Sequence, residues 1–164
     1  MTEFVTLAQI DETSAAVRAR LKAAPRVGMI LGSGVARAQI ETAQSGNWNL
    51  GTTWVGGVVP TAGEVAILAG HTVALTAANQ IPAAIDLTVD GVLDLANRNT
   101  SLSLLRGSGM VRQASTGSIT LTLGSAASST FDGTITRTAG TLSLVKTGTG
   151  TNTLTGANNY NGAT

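Results

Sequence analysis

Leucine residues recur at a nearly regular spacing through the middle of this chain, and this spacing constrains the fold most. Leu87, Leu104 and Leu121 are separated by equal intervals, and Leu142 follows after a slightly longer one. Each belongs to a short unit that holds a second Leu or Val. One strand cluster and one glycine turn per period of about 20 residues are typical of a solenoid, in which successive coils stack. The spacing therefore predicts a mostly β chain with stacked aliphatic side chains inside.

The local pattern and the composition agree with stacked strands. Residues 85–89 and 119–123 alternate apolar and polar side chains, and Asp90-Gly91 is a turn signal. Charged residues make up only 12% of the chain, against roughly 25% in an average domain. We expect a right-handed parallel β-helix or a closely related β-solenoid. A β-sandwich built from hairpins is the alternative, and the poor hairpin turns and the recurring spacing disfavour it.

The chain divides into two segments of different character. Residues 1–40 hold eight charged side chains, whereas the much longer segment 41–164 holds eleven. Asp11 or Thr13 can cap a helix that ends at Pro25, and a short apolar strand at residues 27–31 follows. We predict that residues 1–45 form a short helical and strand segment that docks, caps or oligomerises. Residues 46–164 are predicted to form the β-solenoid.

Charge and residue types exclude several classes of function. The net charge is +1, which gives no electrostatic basis for binding nucleic acid or an anionic membrane. The chain has no cysteine, and no apolar run is long enough for membrane insertion. The first residues lack the basic start of a secretory signal. No Ser/His/Asp set and no paired carboxylates stand out, so we expect no enzyme activity, no cofactor and no metal.

Individual side chains suggest structural roles. His71, the one histidine, follows Gly70 at a strand start and is expected to be a surface or turn residue. Asp86, Asp90 and Asp94 recur at regular intervals in a period-two segment, which predicts three carboxylates on one solvated face and disfavours a calcium site. Trp48 and Trp54 are expected to cover the open end of the first coil. The asparagines near the C-terminus are expected to form a stacked ladder or turns (Asn158, Asn159, Asn161).

Residues 46–164 resemble the passenger regions of bacterial autotransporters and related β-helical surface adhesins. The segment 46–60, with its two tryptophans, resembles the lead-in coil of such proteins. Residues 131–135, 140–150 and 153–162 resemble the autotransporter-associated β-strand repeat, whose pattern begins Phe-x-Gly-x-Ile and ends Asn-x-Tyr-x-Gly. This resemblance implies a β-helical fold and a role at a cell surface.

Residues 8–36 resemble a different family, the N-terminus of purine nucleoside phosphorylases. The resemblance lies in the run from Pro25 to Gly34, which ends in Leu-Gly-Ser-Gly. In that family the turn contributes to a phosphate site, so the resemblance implies a phosphate ligand at Gly32, Ser33 and Gly34. Glycine amides and a hydroxyl are suited to an anion. The family's later phosphate, purine and ribose residues have no counterpart in this chain.

These observations favour a non-catalytic structural or adhesive module of a surface appendage. The appendage is a bacterial surface adhesin or a phage virion fibre or decoration protein, so the expected location is the cell surface, the extracellular space or the virion. Expected partners are further copies of the chain, in a trimer or filament, other virion or surface proteins, and a host-surface glycan. The alternatives are a phosphorylase remnant that binds phosphate, and an artificial joining of a phosphorylase start to an adhesin segment.

Overall fold

The computed structural model describes residues 38–164, and this part of the chain is a parallel β-solenoid of about five turns. Every pair of strands in it is parallel, which confirms the solenoid and rules out the sandwich of hairpins. The predicted N-terminal helix and the turn at Gly32, Ser33 and Gly34 lie outside the described residues. The right-handed coil stays a prediction.

Three faces make up the described solenoid, with six strands on the first face, five on the second, and three, from the later coils, on the third. The first face stacks, in order, β1 (Ile40–Glu41), β3 (Gly63–Ile67), β5 (Ile85–Val89), β8 (Leu104–Arg106), β11 (Ser129–Phe131) and β14 (Asn152–Leu154). The second stacks β2 (Gly46–Asn47), β4 (Thr72–Ala74), β6 (Val92–Asp94), β9 (Met110–Gln113) and β12 (Thr134–Arg137). The third stacks β7 (Thr100–Leu102), β10 (Ser118–Gly124) and β13 (Thr141–Thr147). A 3-10 turn, Gly51–Thr53, follows β2.

Aliphatic side chains point inward at alternate positions and stack from coil to coil. On the second face Val73, Leu93, Val111 and Ile135 are neighbours in register, and all four are completely buried. Burying one such side chain stabilises the fold by about 1.5–3 kcal/mol. The alternation seen in the sequence thus becomes one continuous core, because successive side chains of a strand point to opposite sides.

Leu87, Leu104 and Leu121 are equally spaced in the sequence, but they do not stack on one another in the structure. Leu87 is in register with Leu105, whereas Leu104 is in register with Asp86. Leu121 lies on a different face, where it stacks on Leu144. The spacing therefore indicates stacked coils but does not give their register. Coils of this chain differ in length, so a constant step along the sequence moves from one face to another.

Coil length changes abruptly in the middle of the solenoid. On the second face, Leu93 and Val111 are neighbours across a short coil, whereas Val111 and Ile135 are neighbours across a longer one. The third face shows the reason, because β7 has three residues and β10 has seven. The later coils are longer because each contains a longer strand on the third face and a loop after that strand.

The corner between the first and second faces carries a column of stacked glycines. Its members are Gly91, Gly109, Gly133 and Gly156. A Cβ atom added at any of the last three would overlap the carbonyl oxygen of the glycine one coil earlier. Adjacent coils therefore approach so closely at this corner that only a residue without a side chain fits. This close approach of the coils explains why each period of the sequence contains a glycine turn.

Candidate functional site

The two tryptophans lie at the N-terminal end of the described core. Trp48 and Trp54 are each only 1% exposed. Their rings meet edge to face, with centroids 4.8 Å apart and planes at 70°, an arrangement that aromatic pairs prefer. The indole N–H of Trp54 donates to the carbonyl oxygen of Trp48 at 2.9 Å. The pair is thus fixed both by packing and by a buried hydrogen bond.

The chain around Trp54 folds back along the outer edge of β1. Thr42 and Trp54 form an antiparallel bridge. The amide of Ala43 donates to the carbonyl of Thr53 at 2.8 Å, and the amide of Val55 donates to the carbonyl of Glu41 at 2.9 Å. On its other side β1 pairs with β3. The first strand of the first face therefore has hydrogen-bonding partners on both edges.

His71 helps to hold this first coil to the second. Its Nδ1 lies 2.8 Å from the hydroxyl of Thr42, which also accepts the amide N–H of Leu68 at 3.0 Å. Thr42 is 1% exposed, so its hydroxyl would lack partners without these two groups. The contact between His71 and Thr42 therefore has a structural role, since it joins the turn at residues 68–71 to the first coil.

The three aspartates do not share a face, so that prediction is wrong. Asp86 lies in β5 on the first face, and Asp94 ends β6 on the second. Asp90 lies at the corner between them, where its carboxylate accepts the amide and the hydroxyl of Ser108 at 2.9 and 3.1 Å. The chain turns the corner at Asp90 and Gly91, and a period-two pattern does not continue through a turn.

Asp94 is paired rather than solvated. Its Oδ2 accepts from Nη2 of Arg112 at 2.8 Å and from Nε at 2.9 Å, and Oδ1 accepts the amide of Ala96. The two residues face each other in register on adjacent strands, β6 and β9. Among residues 38–164, no three His, Cys, Asp or Glu side chains gather closely enough to hold a metal ion. In that part of the chain no helix has the length and apolar character needed to cross a bilayer.

Gln113 is a buried polar residue that the sequence did not single out. Its side chain is fully buried at the end of β9. Oε1 accepts the amide of Asn97 at 3.0 Å, and Nε2 donates to the carbonyl of Ser115 at 3.0 Å and to Oδ1 of Asn97 at 3.3 Å. Asn97 has a φ of 64°, an uncommon conformation for a residue with a side chain. The amide of Gln113 therefore stabilises an unfavourable turn in the preceding coil.

We expect the substitution Gln113→Leu to lower the free energy of unfolding by about 2 kcal/mol, because the backbone groups of Asn97 and Ser115 lose their hydrogen bonds to the buried amide, each worth about 1 kcal/mol. Chemical denaturation would measure this. Arg112→Gln, at the adjacent and partly exposed position, is the matched control and should cost less than about 1 kcal/mol. A Gln113→Leu protein as stable as Arg112→Gln would contradict the role of the buried amide.

The asparagines near the C-terminus neither form a ladder with one another nor serve only as turns. Oδ1 of Asn158 accepts the amide of Ile135 at 2.8 Å, and Oδ1 of Asn161 accepts the amide of Leu142 at 3.2 Å. Each side chain thus satisfies a strand amide on the last edge of the solenoid. Asn158 also donates to the carbonyl of Gly156, as in a turn.

The C-terminal end of the described solenoid carries an apolar groove. A groove of about 550 Å³ lies there, and its apolar lining comes from Leu144, Leu154 and Tyr160. Residues 161–163 hydrogen-bond to Leu142 and Leu144 of β13. The strand continues beyond Leu144 to Thr147, and Val145 within this extension is 40% exposed. The edges of β13 and β14 therefore border an apolar opening at this end.

In comparisons with protein-family models, curated proteins and solved structures, the chain matches none. The resemblances to autotransporter passengers and to purine nucleoside phosphorylases stay predictions.

Proposed function

We propose that this chain is a non-catalytic structural or adhesive β-solenoid module of a surface appendage. The appendage would be a bacterial surface adhesin or a phage virion fibre or decoration protein, and the module would act at the cell surface or in the virion. The observation that carries the proposal is the stacking of parallel strands on three faces around one aliphatic core. Such a stack holds its length because each coil is hydrogen-bonded to the next.

The positions behind the adhesin resemblance are the ones that this fold uses. Phe131 and Ile135 point into the core and are buried, and Gly133 between them occupies the glycine column at the corner. Leu142 and Leu144 point inward from β13. A repeat motif with these spacings is therefore the sequence requirement of one coil, which supports the proposal of an autotransporter-like module.

Assembly with other copies is part of the proposal. Apolar side chains are exposed at both ends of the described solenoid: Leu50 is 46% and Val58 is 69% exposed near the first coil, and Val145 is 40% exposed near the last. Solenoids need covered ends to avoid aggregation. We propose that a trimer or filament of this chain, or another appendage protein, covers these residues.

Size-exclusion chromatography with light scattering, followed by trypsin digestion of the eluted peak, tests this function. We expect the mass of a trimer or a larger assembly of the 16.5 kDa chain. We also expect residues 38–164 to resist cleavage at their five basic residues, since a folded solenoid does not open locally to a protease. A well-behaved monomer would refute the assembly. Rapid cleavage at those residues would refute a rigid module (Arg98, Arg106, Arg112, Arg137, Lys146).

A further inference from the structure

The change in coil length leaves a gap in the first face. β8 pairs with β5 above it, and β11 pairs with β14 below it. Between β8 and β11 the ladder is reduced to a single bridge, Gly107 to Phe131. The other two faces continue across this level through β9–β12 and β7–β10. The solenoid thus has a recess on one face, where a short coil meets a longer one.

This recess has a volume of about 330 Å³ and a lining of unusual composition. Five of its six lining residues carry hydroxyl groups, and the sixth is Arg106 (Ser128, Ser129, Thr130, Thr151, Thr153). No carboxylate of the described residues lines it. Within residues 38–164 the one ion pair joins Arg112 to Asp94, so the exposed guanidinium of Arg106 has no carboxylate partner there.

The two serine hydroxyls of the recess accept hydrogen bonds from the next coil. Ser128 Oγ accepts the amide N–H of Thr151 at 3.0 Å, and Ser129 Oγ accepts from the side-chain amide of Asn152 at 2.8 Å. A hydroxyl that already accepts a hydrogen bond keeps its own hydrogen free to donate. Together with the five N–H groups of a guanidinium, the recess offers many donors around one positive charge.

We propose that this recess binds an acidic sugar unit, with the sugar carboxylate on Arg106 and the ring hydroxyls on the Ser and Thr side chains. A guanidinium pairs with a carboxylate through two parallel hydrogen bonds, which fixes the orientation of the ligand. The hydroxyl-rich walls match the hydroxyls of a sugar, and the volume falls in the range of small-molecule sites. This inference rests on the proposed adhesive function and names the chemistry of its ligand.

Titration of the full chain, labelled with ¹⁵N, against glucuronate tests the proposal. We expect shifts of the amides around residues 105–107, 128–130 and 151–153, with a Kd of about 1 mM, as for a single weak contact site. Arg106→Gln should weaken binding at least tenfold (about 1.4 kcal/mol), because a charge-assisted pair is lost. Arg98→Gln, which removes an exposed arginine outside the recess, should leave the Kd unchanged.

Two further ligands separate the possible sources of binding. Glucose lacks the carboxylate, and equal affinity for glucose and glucuronate would overturn the role of Arg106. Inorganic sulfate lacks the ring, and equal affinity for sulfate would show an anion site with no preference for sugars, which also overturns the proposal. Absence of shifts with glucuronate would reject the site altogether. A chain that assembles and resists trypsin but binds no glucuronate would retain the structural function and lose only this ligand.

Discussion

Replacing Gly133 by alanine is expected to lower the free energy of unfolding by about 3 kcal/mol or more, as overpacking against rigid backbone does. The added Cβ would overlap the carbonyl oxygen of Gly109 and lie 2.6 Å from Cζ of the buried Phe131. Neither neighbour can move freely, since Gly109 belongs to the adjacent coil and Phe131 is 1% exposed in the core. Urea denaturation followed by circular dichroism would measure the loss.

Gly57→Ala is the control for this substitution. A Cβ at Gly57 would meet no atom within 4 Å, and the only cost is its φ of 74°. We expect a loss of about 1 kcal/mol for a residue with a side chain in that conformation. If Gly133→Ala were no more destabilising than Gly57→Ala, close approach of coils at the corner would not be what requires glycine there.

Truncation of the buried tryptophan at the N-terminal end is expected to have the other large effect. Trp54→Ala should cost about 3–5 kcal/mol, because it removes a large buried side chain and leaves a cavity. It also removes the edge-to-face contact with Trp48 and exposes that ring and the core below it to water. Thermal denaturation of purified protein would measure the change, and aggregation below the melting temperature would accompany it.

Trp54→Phe separates the hydrogen bond from the packing. Phenylalanine keeps an aromatic ring beside Trp48 but cannot donate to its carbonyl oxygen, which leaves a buried acceptor unpaired. We expect a loss of about 1–3 kcal/mol, smaller than for alanine. If alanine and phenylalanine were equally mild at this position, the tryptophan pair would contribute little to the first coil.

The sequence predicted the class of the fold well because a solenoid repeats one local pattern. Alternating side chains between residues 85 and 95, and a glycine turn in each period, follow directly from strands that bury one side and turn a tight corner. The register was harder to predict. Leu104 and Leu105 are both buried, and only pairing with β5 decides which of them lies next to Leu87.

The candidate sites were less predictable, because they depend on which coils become neighbours. Arg106 and Ser128 are distant in the sequence, and their meeting in one recess follows from the change in coil length. Gln113 is a polar residue at a strand end with no distinctive sequence signal, and its hydrogen bonds to Asn97 depend on the turn of the preceding coil. A weak signal did exist, since β9 alternates and places Gln113 on the same side as Val111.

The edge pairing of β1 has a consequence for the proposed assembly of this chain. Residues 53–55 occupy the outer edge of β1 and thus obstruct its pairing with an incoming strand. At the other end β13 extends past the residues that accompany it, and an apolar groove lies beside it. The two ends of the module therefore differ: residues 53–55 cover the outer edge of β1 on the first face, whereas the far end of β13 on the third face stays open. If copies add by strand pairing, we expect them to add at the far end.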